Sequence, residues 1–221
     1  RVGNFSISNV NALTNTGKLP FIWSVACDNG RFTSGDCFAE AWLRATHNST
    51  GQPTGAIGTM MSWISQPWTP PMTGQDEMVT ILVEKREHIK RTMGGLSING
   101  SMKMIDLHGS EGIRTHNSWL LFGDPTLQVR TDIPQNMIVS HTDAALIGWP
   151  EYTVNCNTEN AYVALTINNE IVGTGYVNGG SATIQLNQPF SEPGTLKIAI
   201  TAFNKITYIE EIDIIPAEGP Y

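Results

Sequence analysis

A chain of 221 residues with 40% hydrophobic and 15% charged side chains is long enough to bury a real core, as one large or two modest domains. Its net charge of -7 and pI near 5.1, with basic residues that form no run or stripe, argue against nucleic acid or an acidic membrane as main partners. No apolar run approaches the roughly 18 residues needed to cross a bilayer, so no membrane span is expected.

The three cysteines, Cys27, Cys37 and Cys156, cannot all pair, and their spacing matches no zinc pattern. A Cys27–Cys37 bridge and free thiols are equally allowed, which leaves the redox compartment open. The chain begins Arg1-Val-Gly-Asn, with neither a start methionine nor a signal peptide. It reads as a mature piece of something longer.

Taken in order, Ile7, Val10 and Leu13 are spaced for a short helix within residues 5–16. The nearly unbroken apolar run Phe21–Ala26, preceded by Pro20, reads as a central strand covered on both faces, as in a parallel sheet. Cys27 stands where that strand stops, and Asp28-Asn29-Gly30 is a turn signal. The thiol is thus placed at the carboxyl end of a strand, where open α/β sheets put their ligands. The competing reading is an inert, small apolar side chain.

Asp36 through Thr46 reads as a helix with Asp36 at its N-cap. Gly55–Ser62 is small and apolar enough for a second buried strand, which completes a βαβ unit. The stretch Trp63-Ile-Ser-Gln-Pro-Trp-Thr-Pro-Pro-Met-Thr-Gly74 reads as a loop that leaves the same sheet edge as Cys27 and walls any pocket there. Plain packing is the alternative role for Trp68 and Met72.

Residues 75–92 pattern as an amphipathic helix, broken by Gly94-Gly95, and Leu96–Leu107 as a second helix. Trp119–Arg130 reads as an apolar segment, a Gly-Asp-Pro turn and a short last strand. The composition shifts near Asp132-Ile-Pro134. Beyond it, alternating runs at 162–167, 171–177, 182–186, 196–202 and 208–215, separated by turn residues, describe a small β-sandwich. That region shows no cluster of titratable groups, and a supporting or adhesive role suits it. The division expected is therefore 1–131, an α/β domain, and 132–221, an all-β sandwich.

A nucleophilic cysteine needs a base or a neighbouring positive charge. His47 and His88 fall at or beside helix ends and His141 in the β region, all three read as surface residues. His108-Gly109-Ser110 offers a base and a backbone donor, but at the end of a helix rather than a strand. From these residues alone the dyad is incomplete.

Several motifs occur in a telling order: Ser24-Val-Ala-Cys27-Asp-Asn-Gly-Arg-Phe32, Cys37-Phe-Ala-Glu-Ala41, Ile64-Ser-Gln-Pro-Trp-Thr-Pro-Pro-Met-Thr-Gly-Gln-Asp-Glu-Met78, Lys90-Arg-Thr-Met-Gly-Gly95 and Trp119-Leu-Leu-Phe-Gly-Asp-Pro-Thr-Leu-Gln-Val-Arg130. Together they resemble the carboxyl-terminal half of the catalytic domain of the gingipains, secreted bacterial cysteine endopeptidases of the caspase-like clan. The resemblance continues into the family's immunoglobulin-like domain, ending near Pro220-Tyr221.

It implies a partial caspase-like parallel-sheet subdomain, then an immunoglobulin-like sandwich. It implies Cys27 as nucleophile, with the base a histidine in a His-Gly motif upstream of Arg1, either on a second chain from the same precursor or on an earlier part of the chain of which this is a fragment. It implies a substrate pocket formed in part by Val25, Gln66, Pro67, Trp68 and Met72. Trp68 and Met72 fit the arginine-specific branch, since a flat aromatic and a thioether suit a guanidinium and its stem. Pro67 departs from the small polar residue expected there. The chemistry implied needs no cofactor and no catalytic metal, a structural calcium is left open, and the location implied is secreted or on the bacterial cell surface. The reading from another class is a non-catalytic binding or adhesive protein that keeps the peptidase scaffold.

Overall fold

The computed structural model describes residues 3–84 and 90–217. The chain divides into two compact units between Val129 and Arg130.

The first unit is built on a three-stranded sheet. After α1 (Ile7–Asn11), strand β1 (Phe21–Trp23) leads into the Cys27 loop, and α2 (Phe38–Arg44) carries the chain to β2 (Gly58–Ser62). Strands β1 and β2 are parallel, with Ile22 opposite Thr59. Three helices follow, α3 (Thr69–Val83), α4 (Met93–His108) and α5 (Ser110–Ser118), then β3 (Trp119–Phe122), antiparallel to β2. The sheet order is β1-β2-β3, a mixed sheet rather than a wholly parallel one.

Alternation along the strands sorts side chains to the two faces. Met60 faces Met78, Ile81, Met93, Leu96, Met104 and Trp119, while its neighbour Met61 faces Val10, Phe38, Ala39 and Ala41. Five consecutive buried residues in β2 mark it as the central strand, covered on both sides. The position read as central from the sequence, β1, is instead an edge strand of half-buried residues, because among the described residues nothing pairs with its outer side.

The N-cap of α2 is Cys37, not Asp36: Glu40 reaches back to accept from the Cys37 N–H at 2.9 Å, closing a capping box. Asp36 pairs with Arg44 instead, at 2.5 Å. The segment read as the loop Trp63–Gly74 becomes helical at Thr69. Pro70 and Pro71 occupy the first turn of α3, where an N–H has no intrahelical acceptor to lose. Of the amphipathic stretch 75–92, residues 85–89, with His88, lie outside the described residues, as does Pro220-Tyr221.

Gly94-Gly95 does not break a helix but sits in the first turn of α4, where the Thr92 hydroxyl accepts from the Gly95 N–H at 3.1 Å. A Cβ on Gly94 would lie 2.7 Å from the Pro125 Cβ. Helix α5 was not expected from the sequence, and the strand expected after the Gly-Asp-Pro turn reduces to a single bridge, Gln128 to Thr92.

The second unit has two sheets. One has the order β5-β11-β10-β7-β8, built from β5 (Ala144–Leu146), β7 (Tyr162–Ile167), β8 (Glu170–Tyr176), β10 (Gly194–Thr201) and β11 (Tyr208–Ile215). The other has β4 (Val139–Ser140), β6 (Glu151–Cys156) and β9 (Ser181–Gln185). Inward residues of both, among them Val154, Leu165, Ile184, Leu196, Ile198 and Ile200, form one core.

This unit does contain a titratable cluster, contrary to the sequence reading. His141, with only 5% of its side chain exposed, is not a surface residue. Its Nε2 lies 3.0 Å from the Tyr208 hydroxyl and 3.3 Å from Glu210, and its Nδ1 lies 3.2 Å from the Tyr152 hydroxyl. Tyr208 also donates to Glu210. Burial, and then the Glu210 hydrogen bond, push the Tyr208 hydroxyl up to about 12. Burial likewise raises Tyr152.

Candidate active site

The chain leaves β1 with the Ser24 N–H donating to the Met60 carbonyl at 2.9 Å, so the pairing with β2 runs one residue past the strand. The next backbone anchor is the Asp28 N–H, bonded to the Ile64 carbonyl at 3.1 Å. Asp28 takes a left-handed conformation, φ 56°, which turns the chain back so that the Gly30 N–H donates to Ser62 at 2.8 Å. Only glycine fits there: a Cβ on residue 30 would stand 2.5 Å from the Met61 carbonyl oxygen. Asp28 is held at its side chain by Ser65, 3.3 Å away, and lies 3.8 Å from Arg31.

Between the anchors, Val25, Ala26 and Cys27 form a short arch. Cys27 is the exposed thiol of the three; Cys37 and Cys156 are buried, and all three are free. Burial pushes the Cys37 thiol up, which suits an inert cap. The Cys27 Sγ donates to the Gln66 carbonyl at 3.6 Å. Attack on a carbonyl requires a base to take the thiol proton. The Cys27 N–H has no acceptor among the described residues, so it is free to meet an oxygen from outside.

The structure brings some of the expected pocket residues to this thiol. Gln66, 6% exposed, touches it through its carbonyl, while neither its carboxamide oxygen nor its nitrogen has a partner among the described residues. Pro67 is half-buried. Trp68, 70% exposed, and Met72, 49% exposed, lie one helical turn apart at the start of α3, with the Met72 N–H donating to the Trp68 carbonyl at 3.2 Å. Val25 packs against the core on the α3 side of the sheet.

His108 is the last residue of α4, its Nε2 2.9 Å from the Thr73 hydroxyl. Among the described residues no histidine hydrogen-bonds Cys27. No group of three or more His, Cys, Asp or Glu there is placed to hold a metal ion, and no helix there is long and apolar enough to cross a membrane.

Three residues that the sequence reading passed over tie this site together: Ser24, Asn29 and Trp119. Trp119 stood at the head of an apolar run and Asn29 in a turn signal. Neither position announced a buried polar contact.

An exposed cysteine on an arch at the end of a parallel strand, with helices on both faces of the sheet and a β-sandwich after it, defines the class: a caspase-like α/β unit followed by an immunoglobulin-like domain. The chain belongs to peptidase family C25. The model of that family matches residues 2–130, and the model of its C-terminal Ig-like domain matches residues 147–215.

Gingipain R2 of Porphyromonas gingivalis is 38% identical over 213 residues, covering 96% of this chain and 29% of the relative. Gingipain R1 of Porphyromonas gingivalis is 40% identical over 222 residues, 99% of this chain and 22% of the relative. The crystal structure of the arginine-specific cysteine proteinase gingipain R superposes with a TM-score of 0.90 at 38% identity, covering 95% of this chain and 48% of that one. The chain thus spans less than a third of these two curated relatives and about half of the solved structure.

Proposed function

We propose that the protein to which this chain belongs is a cysteine endopeptidase that cleaves after arginine, with Cys27 as its nucleophile. The observation that carries the reading is the exposed Cys27 thiol at the carboxyl end of β1, beside the Gln66–Met72 wall. The thiolate attacks the scissile carbonyl and the Cys27 N–H, unpaired among the described residues, donates to the oxyanion. Collapse of the tetrahedral intermediate breaks the C–N bond, the amine leaving with the proton that the base took from the thiol, and water then hydrolyses the thioester to the carboxylic acid and the free thiol. Thiol, base and oxyanion donors suffice for this chemistry, with no cofactor.

The base, in the arrangement that the family resemblance implies, is a histidine on a segment upstream of Arg1; His108 hydrogen-bonds Thr73 and not Cys27. The outer edge of β1 supports a docking place for that segment. Phe21, Trp23, Met78, Leu82 and Leu96 line a groove of about 330 Å³ beside this strand, and a strand edge unpaired among the described residues, beside an apolar groove, invites pairing. Trp68 and Met72 flank the arginine stem and guanidinium, with the neutralising acid on the same upstream segment. The resemblance to secreted peptidases supports a protein released or displayed outside the cell after processing of a longer precursor.

The test is Cys27→Ala in the assembled protein. Cleavage of an arginine-containing peptide is expected to vanish; undiminished cleavage would falsify the reading. The rival, a binding protein on a peptidase scaffold, is motivated by the lack of a histidine bonded to Cys27 among the described residues. It predicts an alkylation rate at Cys27 no faster than that of an ordinary free thiol at neutral pH.

A further inference from the structure

Ser24 is the last residue fixed to the sheet before the arch that presents Cys27, and all three of its polar groups are committed. Its N–H donates to the Met60 carbonyl at 2.9 Å. Its hydroxyl accepts from the Asn29 side-chain amide at 3.3 Å. Its carbonyl accepts from the Trp119 indole N–H at 3.2 Å, and that same N–H reaches the Met60 carbonyl at 3.1 Å. Ser24, Asn29 and Trp119 are all buried, where hydrogen bonds are shielded from competing water and a lost partner leaves an unpaired polar group.

The geometry assigns Trp119 and Asn29 as positioning residues for the Cys27 nucleophile, acting through Ser24. Asn29 closes the arch from its far side, joining residues 24 and 29 across the four residues Val25–Asp28. Trp119 fixes the near side. Its ring also lies against α3 at Gly74, where an added Cβ would meet the indole Cζ3 at 3.3 Å. The indole therefore sets the height of the nucleophile loop against the helix that opens with Trp68 and Met72. A lone buried tryptophan could be mere filling, but filling does not require its N–H to bridge the last two carbonyls beneath the arch. A displacement of about 1 Å in a reacting group can cost on the order of a hundredfold in rate, so a loose Ser24 shows in the chemical step.

This assignment rests on the reading of Cys27 as nucleophile, and its test keeps the two apart. In the complete native protein, Trp119→Phe keeps an aromatic ring and removes the N–H, while Ser24→Ala removes the hydroxyl that holds Asn29. Rates are expressed per titratable Cys27 thiol, so that lost folding lowers the number of sites and not the rate at each. Both variants are expected to lower kcat on an arginine-containing peptide about tenfold or more, with KM within twofold, and to slow iodoacetamide alkylation of Cys27 at pH 7 by a similar factor.

Per-site kcat and alkylation rate within twofold of wild type in both variants would overturn the assignment, and if Trp119→Phe does not fold, Ser24→Ala decides alone. Cys27→Ala run alongside separates the two readings. Undiminished cleavage there removes the nucleophile and the assignment with it, whereas abolished cleavage beside unaffected Trp119→Phe and Ser24→Ala removes only the positioning role.

Discussion

Gly30→Ala is the perturbation whose cost follows most directly from the fold. The added methyl would stand 2.5 Å from the Met61 carbonyl oxygen, 3.0 Å from its carbonyl carbon and 3.1 Å from the Phe122 ring. Two of these three atoms belong to the backbone of β2, the central buried strand, which cannot move without disturbing both faces of the sheet. The Cys27 loop must retreat instead, and the Gly30 N–H to Ser62 bond at 2.8 Å is lengthened or lost. Overpacking of this kind costs about 1–3 kcal/mol, and the strained hydrogen bond adds about 1 kcal/mol.

A total of roughly 2–4 kcal/mol corresponds to a Tm lower by about 4–16 °C for a chain of this size. Thermal melts followed by circular dichroism read the stability, and iodoacetamide labelling of Cys27 reads the loop. A Tm within 2 °C of wild type, with Cys27 labelled at the wild-type rate, would refute the placement of the loop against β2.

Gly100→Ala is expected to cost at least as much, because its Cβ would lie 2.5 Å from the Gly74 carbonyl oxygen and 2.6 Å from the Met78 Cγ where α3 and α4 meet; a melt unchanged from wild type contradicts that packing. Mass spectrometry of iodoacetamide-treated native protein should find label on Cys27, with Cys37 and Cys156 labelled only after denaturation, since only Cys27 is exposed; native labelling of Cys156 would speak against the sandwich core.

Alkali should weaken the second unit: the folded Tyr208 hydroxyl, at about 12, lies above the unfolded value near 10, so its stabilising contribution is complete below pH 10 and lost as pH rises through 12. Melts between pH 9 and 12 should show that slope, reduced in Tyr208→Phe; equal slopes in both proteins contradict it. His141→Ala should cost about 1 kcal/mol by removing one hydrogen bond from each of the Tyr152 and Tyr208 hydroxyls, which keep Thr142 and Glu210 as partners, read by chemical denaturation of the second unit. No change there would place the histidine outside the network.

The parts of the fold that were legible in the sequence are those set by local pattern. Strands β7 and β11 coincide with alternating runs bounded by turn residues, 162–167 and 208–215. The Cys27 turn was readable because Asp-Asn-Gly both permits the left-handed Asp28 and supplies the small Gly30. The misread segments share a cause. Pro70-Pro71 and Gly94-Gly95 read in sequence as breakers, yet each pair sits in the first turn of a helix. There a missing N–H costs nothing, and a missing Cβ admits a neighbour.

What no local pattern reveals is a long-range polar contact. Trp119 reaches Ser24 across 95 positions of chain, and His141 reaches Tyr208 across 67. An indole or imidazole at such a position reads in sequence as core filler or surface. Its partner is chosen by the topology, not by its neighbours.

The central claim, a Cys27 nucleophile facing an arginine pocket, is tested most directly with a peptide ending in an arginyl chloromethyl ketone, followed by mass mapping of the adduct in the complete native protein. A thioether on Cys27 alone is expected, formed many times faster than with the norleucyl analogue, which keeps the apolar stem and lacks the guanidinium. An adduct absent from Cys27, or equal rates for the two peptides, would contradict it.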